Sequence, residues 1–181
     1  MERFKSVSLS GYMHISGKRF ACVLRRGISE MIEYRIATEK DIDLMMSSRL
    51  EMLREVNDLA DDYVYEDAFV EESRRYVLEG DQTTVLVLDG NRVIGCGTIC
   101  YIVIMPTFSH PTGKRAHLMN VYTSKDYRRQ GIGRKMVDML IRDAWGKGAT
   151  EISLDATEAG RPLYRNCGFE DSGECMVLTR P

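Results

Sequence analysis

Apolar and polar positions alternate along Ile32-Glu33-Tyr34-Arg35-Ile36, which predicts a β-strand with two unlike faces. Thr38 follows in the place of a helix N-cap, with Glu39 and Asp41 in the next turn. Helical patterning covers 40–57, and a second helical stretch covers 66–79 and ends at Gly80. Thr83 to Leu88 reads as a strand, Asp89-Gly90-Asn91 as a tight turn, and Val93 onward as the returning strand, reaching about Met105 before Pro106. His117 to Thr123 is another strand. Ile132, Met136, Val137, Leu140, Ile141 and Ala144 form one helical stripe, closed by Gly146 and Gly148. Beyond it we expect a strand at Ile152–Ala156, a short helix over 160–167 begun by Pro162, and a final strand at Met176–Thr179. This order predicts a mixed α/β single domain, without internal repeats or low-complexity linkers.

Composition narrows the function. The chain has 181 residues, 44% of them hydrophobic, and a formal net charge of −2. That length suits one domain able to bury about 70% of its unfolded surface without a disulfide or structural metal. The near-neutral balance argues against nucleic acid as a partner. The longest apolar runs, such as Ile99 to Met105, fall far short of the ~18 residues that span a bilayer, so no membrane insertion is expected. Cys22, Cys96, Cys100, Cys167 and Cys175 form no CxxC pair, and His14, His110 and His117 have no metal-ligand spacing. Reduced thiols, no metal and a cytoplasmic location are the expectation.

Charge is uneven along the chain. Residues 1–30 carry six bases and two acids, so the remainder carries −6. We expect this stretch to be an N-terminal extension, with the domain occupying 31–181. Arg25-Arg26-Gly27 admits the codons AGG-AGG-GGN, a purine-rich ribosome-binding sequence three codons before Met31. Translation from Met31 in a bacterial gene is therefore our expectation, and other arginine codons at 25 and 26 would remove the argument.

The chemistry concentrates in Tyr127-Arg128-Arg129-Gln130-Gly131-Ile132-Gly133-Arg134-Lys135, between a strand and the amphipathic helix. A helix start leaves about four amides unpaired and carries roughly half a positive charge. Glycine there lets those amides approach an anion. Each of Arg128, Arg129, Arg134 and Lys135 has the wrong sign for that helix end, at about 0.3–1 kcal/mol apiece, unless a phosphate or pyrophosphate offsets them. A solvated loop with helix-start glycines is the plainer reading. A dinucleotide-binding GxGxxG is excluded, since Lys135 and Met136 stand where its third glycine would be.

The stretch Arg128-Arg129-Gln130-Gly131-Ile132-Gly133 matches the acetyl-CoA signature Arg/Gln-x-x-Gly-x-Gly/Ala of the GNAT (Gcn5-related) N-acetyltransferases. Leu163-Tyr164-Arg165-Asn166-Cys167-Gly168-Phe169 matches a second feature of that family about thirty residues downstream. The sequence thus resembles a GNAT acetyltransferase over about 32–180. The resemblance implies a mostly antiparallel central sheet flanked by helices, acetyl-CoA as co-substrate, and direct acetyl transfer to a small-molecule or peptide amine in a ternary complex. It further implies that the amides of Arg129 through Arg134 (Arg129, Gln130, Gly131, Ile132, Gly133 and Arg134) cradle the pyrophosphate, with Arg128 opening the motif. Val121, Tyr122 and Thr123 would bond the pantetheine arm through their backbone, in the gap where this strand splays from the next. Tyr164 would be the general acid that protonates the departing thiolate; as a plain core aromatic it would only pack. The amide of Val121 is the expected oxyanion donor.

The pattern departs from the family in places. Thr157 stands where many members have an Asn seven residues before the tyrosine. No glutamate occupies the strand before the turn, where some members keep a base. Asn120 there can orient an amine or water, His117 is a candidate base or a satisfied core residue, and Glu51, Glu55 or a water relay are alternatives. Residues 51–72 hold nine acids and only Arg54 as a base, interleaved with Tyr63, Tyr65 and Phe69. These make either an acidic rim for a cationic amine or ordinary solvated helix faces. A covalent cysteine mechanism has no visible histidine partner. A catalytically idle acetyl-CoA-binding or sensor module is the alternative function, and an exposed sheet edge of the kind typical of such folds would allow a homodimer.

Overall fold

The computed structural model describes residues 32–173 and 176–180. The extension expected at 1–30 lies outside the described residues. Strand β1 (Ile32–Ile36) is followed by a 3-10 turn (Glu39–Asp41), helix α1 (Ile42–Val56), helix α2 (Asp67–Glu79), and strands β2 (Gln82–Asp89), β3 (Arg92–Val103) and β4 (Lys114–Thr123). A second 3-10 turn (Lys125–Tyr127) leads to helix α3 (Ile132–Gly146), strand β5 (Ile152–Leu154) and helix α4 (Arg161–Asn166). The sheet runs β1-β2-β3-β4-β5. Its first three pairings are antiparallel, and β4–β5 is parallel.

Helices on both faces explain why Thr83 to Leu88 is buried throughout. Val85, Val87, Ile94, Ile99 and Leu118 face Ile132, Met136, Val137 and Leu140 of α3. Leu86, Leu88, Cys96 and Tyr122 face Met45 and Met52 of α1. Helix α3 lies so close to the sheet that a Cβ at Gly97 would sit 3.0 Å from Leu140 Cδ1. Entry into α1 is fixed by Asp41, whose carboxylate accepts both guanidinium arms of Arg35 at 2.7 Å and the Thr38 amide at 2.8 Å. These bonds hold its carboxyl well below the usual carboxylate range.

Several expected boundaries change. The strand expected to reach Met105 ends at Val103, and the strand expected from His117 starts at Lys114. The expected Ile152–Ala156 strand keeps only Ile152–Leu154. The final strand expected at Met176–Thr179 is not formed: the segment is irregular, with Met176, Val177 and Leu178 exposed. Its β-prone side chains do not make a strand without a partner ladder.

Candidate active site

Strict alternation would put Leu118 and Val121 on opposite faces of β4, yet both pack on the α3-side core. Asn120 makes the difference. It adopts a left-handed conformation (φ 55°), and the register passes from Thr98–Met119 to Cys96–Tyr122, three residues on β4 against two on β3. This is a β-bulge. The Asn120 side chain donates to Cys96 Sγ at 3.5 Å, while its Oδ1 is buried without a partner. The ladder from β4 to β5 has only three rungs, Ala116–Ile152, His117–Ser153 and Leu118–Leu154. Past Leu118, β4 continues through the bulge to Thr123 with no strand of the described residues beside that edge.

That open stretch leads into the glycine turn. Arg129 (φ 63°) and Gly131 (φ 81°) are both left-handed, which bends successive amides toward one side. The first backbone bond of α3 runs from Lys135 N–H to Gly131 C=O at 3.1 Å, leaving the amides of Ile132, Gly133 and Arg134 without helical acceptors. A Cβ on Gly131 would meet nothing within 4 Å, so the space beside that residue is open. A diphosphate fits both the donors and the space.

The side-chain cations are less available than their number suggests. Arg128 is paired with Glu55 of α1 and donates its Nε to Thr123 C=O at 2.9 Å. Arg134 Nε lies 3.6 Å from Asp138, and Lys135 Nζ sits 3.9 Å over the Tyr34 ring. Arg129 has no carboxylate partner among the described residues. Carboxylates and a ring, not an anion alone, offset the adverse helix-end charge.

Helix α4 packs onto this turn: a Cβ on Gly133 would lie 3.3 Å from Leu163 Cδ2. The adjoining Tyr164 is half-buried and meets Phe169 edge-on, with ring centroids 6.0 Å apart. Burial, with Cys167 nearby, pushes its phenol above the ordinary value, so it stays protonated at neutral pH.

The profile of the acetyltransferase (GNAT) family matches residues 50–169. The chain belongs to that family. Its fold superposes on an acetyltransferase of Clostridium acetobutylicum crystallised with acetyl-CoA, with a TM-score of 0.73 and 28% identity over 82% of this chain and 96% of the other. Among relatives, glucosamine 6-phosphate N-acetyltransferase 1 of Dictyostelium discoideum is 24% identical over 85% of this chain and 94% of its own length. Mouse thialysine N-epsilon-acetyltransferase is 31% identical over 47% of this chain and 49% of its own length.

In this GNAT domain the two sequence motifs adjoin in space through Leu163 and Gly133. Two candidate bases are already engaged: Glu51 accepts the Tyr122 hydroxyl at 2.9 Å, and Glu55 holds Arg128. The aromatics between the acids form a cluster, with Tyr63 edge-on to Tyr65 (centroids 5.1 Å) and Tyr65 stacked on Phe69 (5.8 Å). The Tyr65 hydroxyl donates to Leu50 C=O at 2.8 Å, and Arg49 lies over Phe69, so the cluster pins the connection between α1 and α2. Sequence reasoning missed the Glu51–Tyr122 and Glu55–Arg128 links, which join residues more than seventy positions apart and leave no local signal. It also missed Ser153 and Asp155, which β5 brings to His117. Among the described residues no group of His, Cys, Asp or Glu could hold a metal, and no helix is long and apolar enough to cross a membrane.

Proposed function

We propose that this GNAT protein transfers the acetyl group of acetyl-CoA directly to a primary amine in a ternary complex. The reading rests on one juxtaposition: the free amides of Ile132, Gly133 and Arg134, open at Gly131, continue the unpaired edge of β4. The amides from Arg129 to Arg134 take the pyrophosphate, and the backbone of Val121, Tyr122 and Thr123 takes the pantetheine arm. The Val121 amide faces the developing oxyanion. Asn120, left-handed and with its Oδ1 buried, forms the bulge that would aim that amide.

Acetyl-CoA supplies the thioester. As the amine adds, the carbon–sulfur bond breaks and its electron pair leaves with sulfur. Tyr164 gives the thiolate its proton, a role its raised phenol pKa allows at neutral pH. The acceptors named for the relatives, glucosamine 6-phosphate and thialysine, head the amines to test, and the acidic residues of 51–72 extend the set to polyamines. A cytoplasmic setting and a homodimer complete the proposal, the latter tested by the solution mass.

A thiol-release screen over amine classes, with calorimetric binding of acetyl-CoA, tests the reading. Tyr164→Phe should lower kcat at least ~100-fold while leaving acetyl-CoA affinity within about twofold. Acetyl-CoA binding without turnover of any amine would favour the idle sensor module. Failure to bind acetyl-CoA removes both readings.

A further inference from the structure

His117 is placed one rung before β4 and β5 part, paired with Ser153 in the ladder. Neighbouring Ala116 and Leu118 pack toward α3, so His117 projects from the opposite face, shared with α1 and α2. Its ring is half-exposed, and Nδ1 lies 2.9 Å from Ser153 Oγ. Nε2 lies 3.8 Å from Asp155 Oδ2, the carboxylate two residues further along the chain beyond the end of β5. A core histidine with a satisfied ring is buried among apolar side chains; this ring instead faces an exposed hydroxyl and an exposed carboxylate at the mouth of the gap.

We infer that His117 is the proton acceptor of the transfer reaction, reached through Ser153 and flanked by Asp155. The inference rests on the acetyltransferase reading above. A proton acceptor at Nδ1 requires Ser153 to turn its hydroxyl from Ala116 C=O, 3.4 Å away, to Nδ1, which puts the imidazole N–H at Nε2, on the side of Asp155. When the amine nitrogen bonds the thioester carbon, its proton passes to Ser153 Oγ while the serine's own hydrogen moves to Nδ1. The resulting imidazolium has Asp155 as its counter-charge, and Tyr164 protonates the departing sulfur. Solvent then returns a proton from His117 to the Tyr164 phenolate, so one neutral amine and one thioester give one amide and one thiol. Asp155 touches neither the amine nor the thioester and is a positioning residue.

Neighbouring elements place the following groups around His117. From β3, Cys100 stands opposite His117 in the ladder, and Tyr76 of α2 bonds that thiol. Two positions back on β4, Arg115 is paired with Glu151 at 2.9 Å, so its charge is offset. Asp155 is the carboxylate nearest the ring among the described residues.

Two measurements decide the inference in the full chain. The first follows thiol release from acetyl-CoA with glucosamine 6-phosphate, thialysine and spermidine as acceptors. His117→Ala should lower kcat about 100-fold with KM for acetyl-CoA unchanged, remove the acid limb of the pH profile, and recover partly with added imidazole. Ser153→Ala should lower kcat similarly and Ser153→Thr, which keeps the hydroxyl, should not. Asp155→Asn should move the acid limb to lower pH. The second needs no turnover: nitrogen NMR of labelled histidine should find His117 as the Nε2–H tautomer in the wild type. An Nδ1–H tautomer, or an acid limb that survives His117→Ala, overturns the inference. Loss of turnover with every amine while the Nε2–H tautomer is present counts against the acetyltransferase reading instead.

Discussion

The Glu55–Arg128 pair gives the sharpest test of whether the turn receives a diphosphate. Its side chains are 26% and 42% exposed, so it is worth about 0.5–1 kcal/mol, the range of partly solvated ion pairs. On the proposed reading a diphosphate at the turn would compete with Glu55 for Arg128, and cofactor affinity would be lowered by what that pair contributes. Glu55 also repels the diphosphate, by about 0.4 kcal/mol for a unit charge at ~10 Å through water. Removing the carboxylate charge in Glu55→Gln should therefore tighten CoA binding by about 1 kcal/mol, roughly fivefold. Calorimetric titration with CoA measures this, and the gain should shrink as salt is raised. In an Arg128→Ala background most of the gain should vanish. Unchanged or weaker binding by a well-folded Glu55→Gln variant would refute the competition.

Other consequences can be checked on the same protein. Asp41→Asn should cost about 2–3 kcal/mol at pH 7, since it removes the charge from the Arg35 fork and weakens the Thr38 bond. Asp41 has a depressed pKa, so its stabilisation is present above the unfolded carboxylate value of about 4 and fades as pH falls below it; the gap in Tm between variant and wild type should narrow on acidification. Gly131→Ala should lower stability by about 1 kcal/mol through its left-handed backbone, with no clash to add, and Gly131→Asn should cost less; an alanine variant as stable as wild type would contradict the strain. Arg129→Gln should weaken CoA binding several-fold and Lys135→Gln by under twofold, because Lys135 is committed to Tyr34; equal losses in titration would show that the turn acts only as a diffuse positive field.

Legibility in the sequence followed the range of the forces involved. The stripe from Ile132 to Ala144 and the hairpin around Gly90 are local patterns, and both formed where expected. Chain order alone did not reveal the bulge, because Asn120 is one polar residue in a strand and its left-handed turn shows only against the β3 register. Met176-Val177-Leu178 has strand-like side chains, but a strand is defined by its neighbour, and the described residues provide none. The cationic turn was read correctly as a place for unpaired amides and too simply as a cluster of free charges. Three of its four cations meet Glu55, Asp138 or Tyr34, and only folding brings Glu55 and Tyr34 there.

Helix α1 consequently does two jobs on one face. Glu55 holds the arginine that opens the cofactor turn, and Glu51, one helical turn earlier, accepts the hydroxyl of Tyr122 on the strand assigned to the pantetheine arm. The same helix carries Leu50, whose carbonyl anchors Tyr65 in the connection toward α2. Displacement of Arg128 by diphosphate would thus act on the element that, on the proposed reading, also borders the acceptor. If diphosphate draws Arg128 from Glu55, binding of cofactor and of amine would be linked through α1, and linkage is reciprocal: an amine that tightens with CoA present must tighten CoA by the same factor. Glu55→Gln, which removes the pair that diphosphate would break, should then lose that mutual gain while Glu51, still bonded to Tyr122, keeps the helix in place.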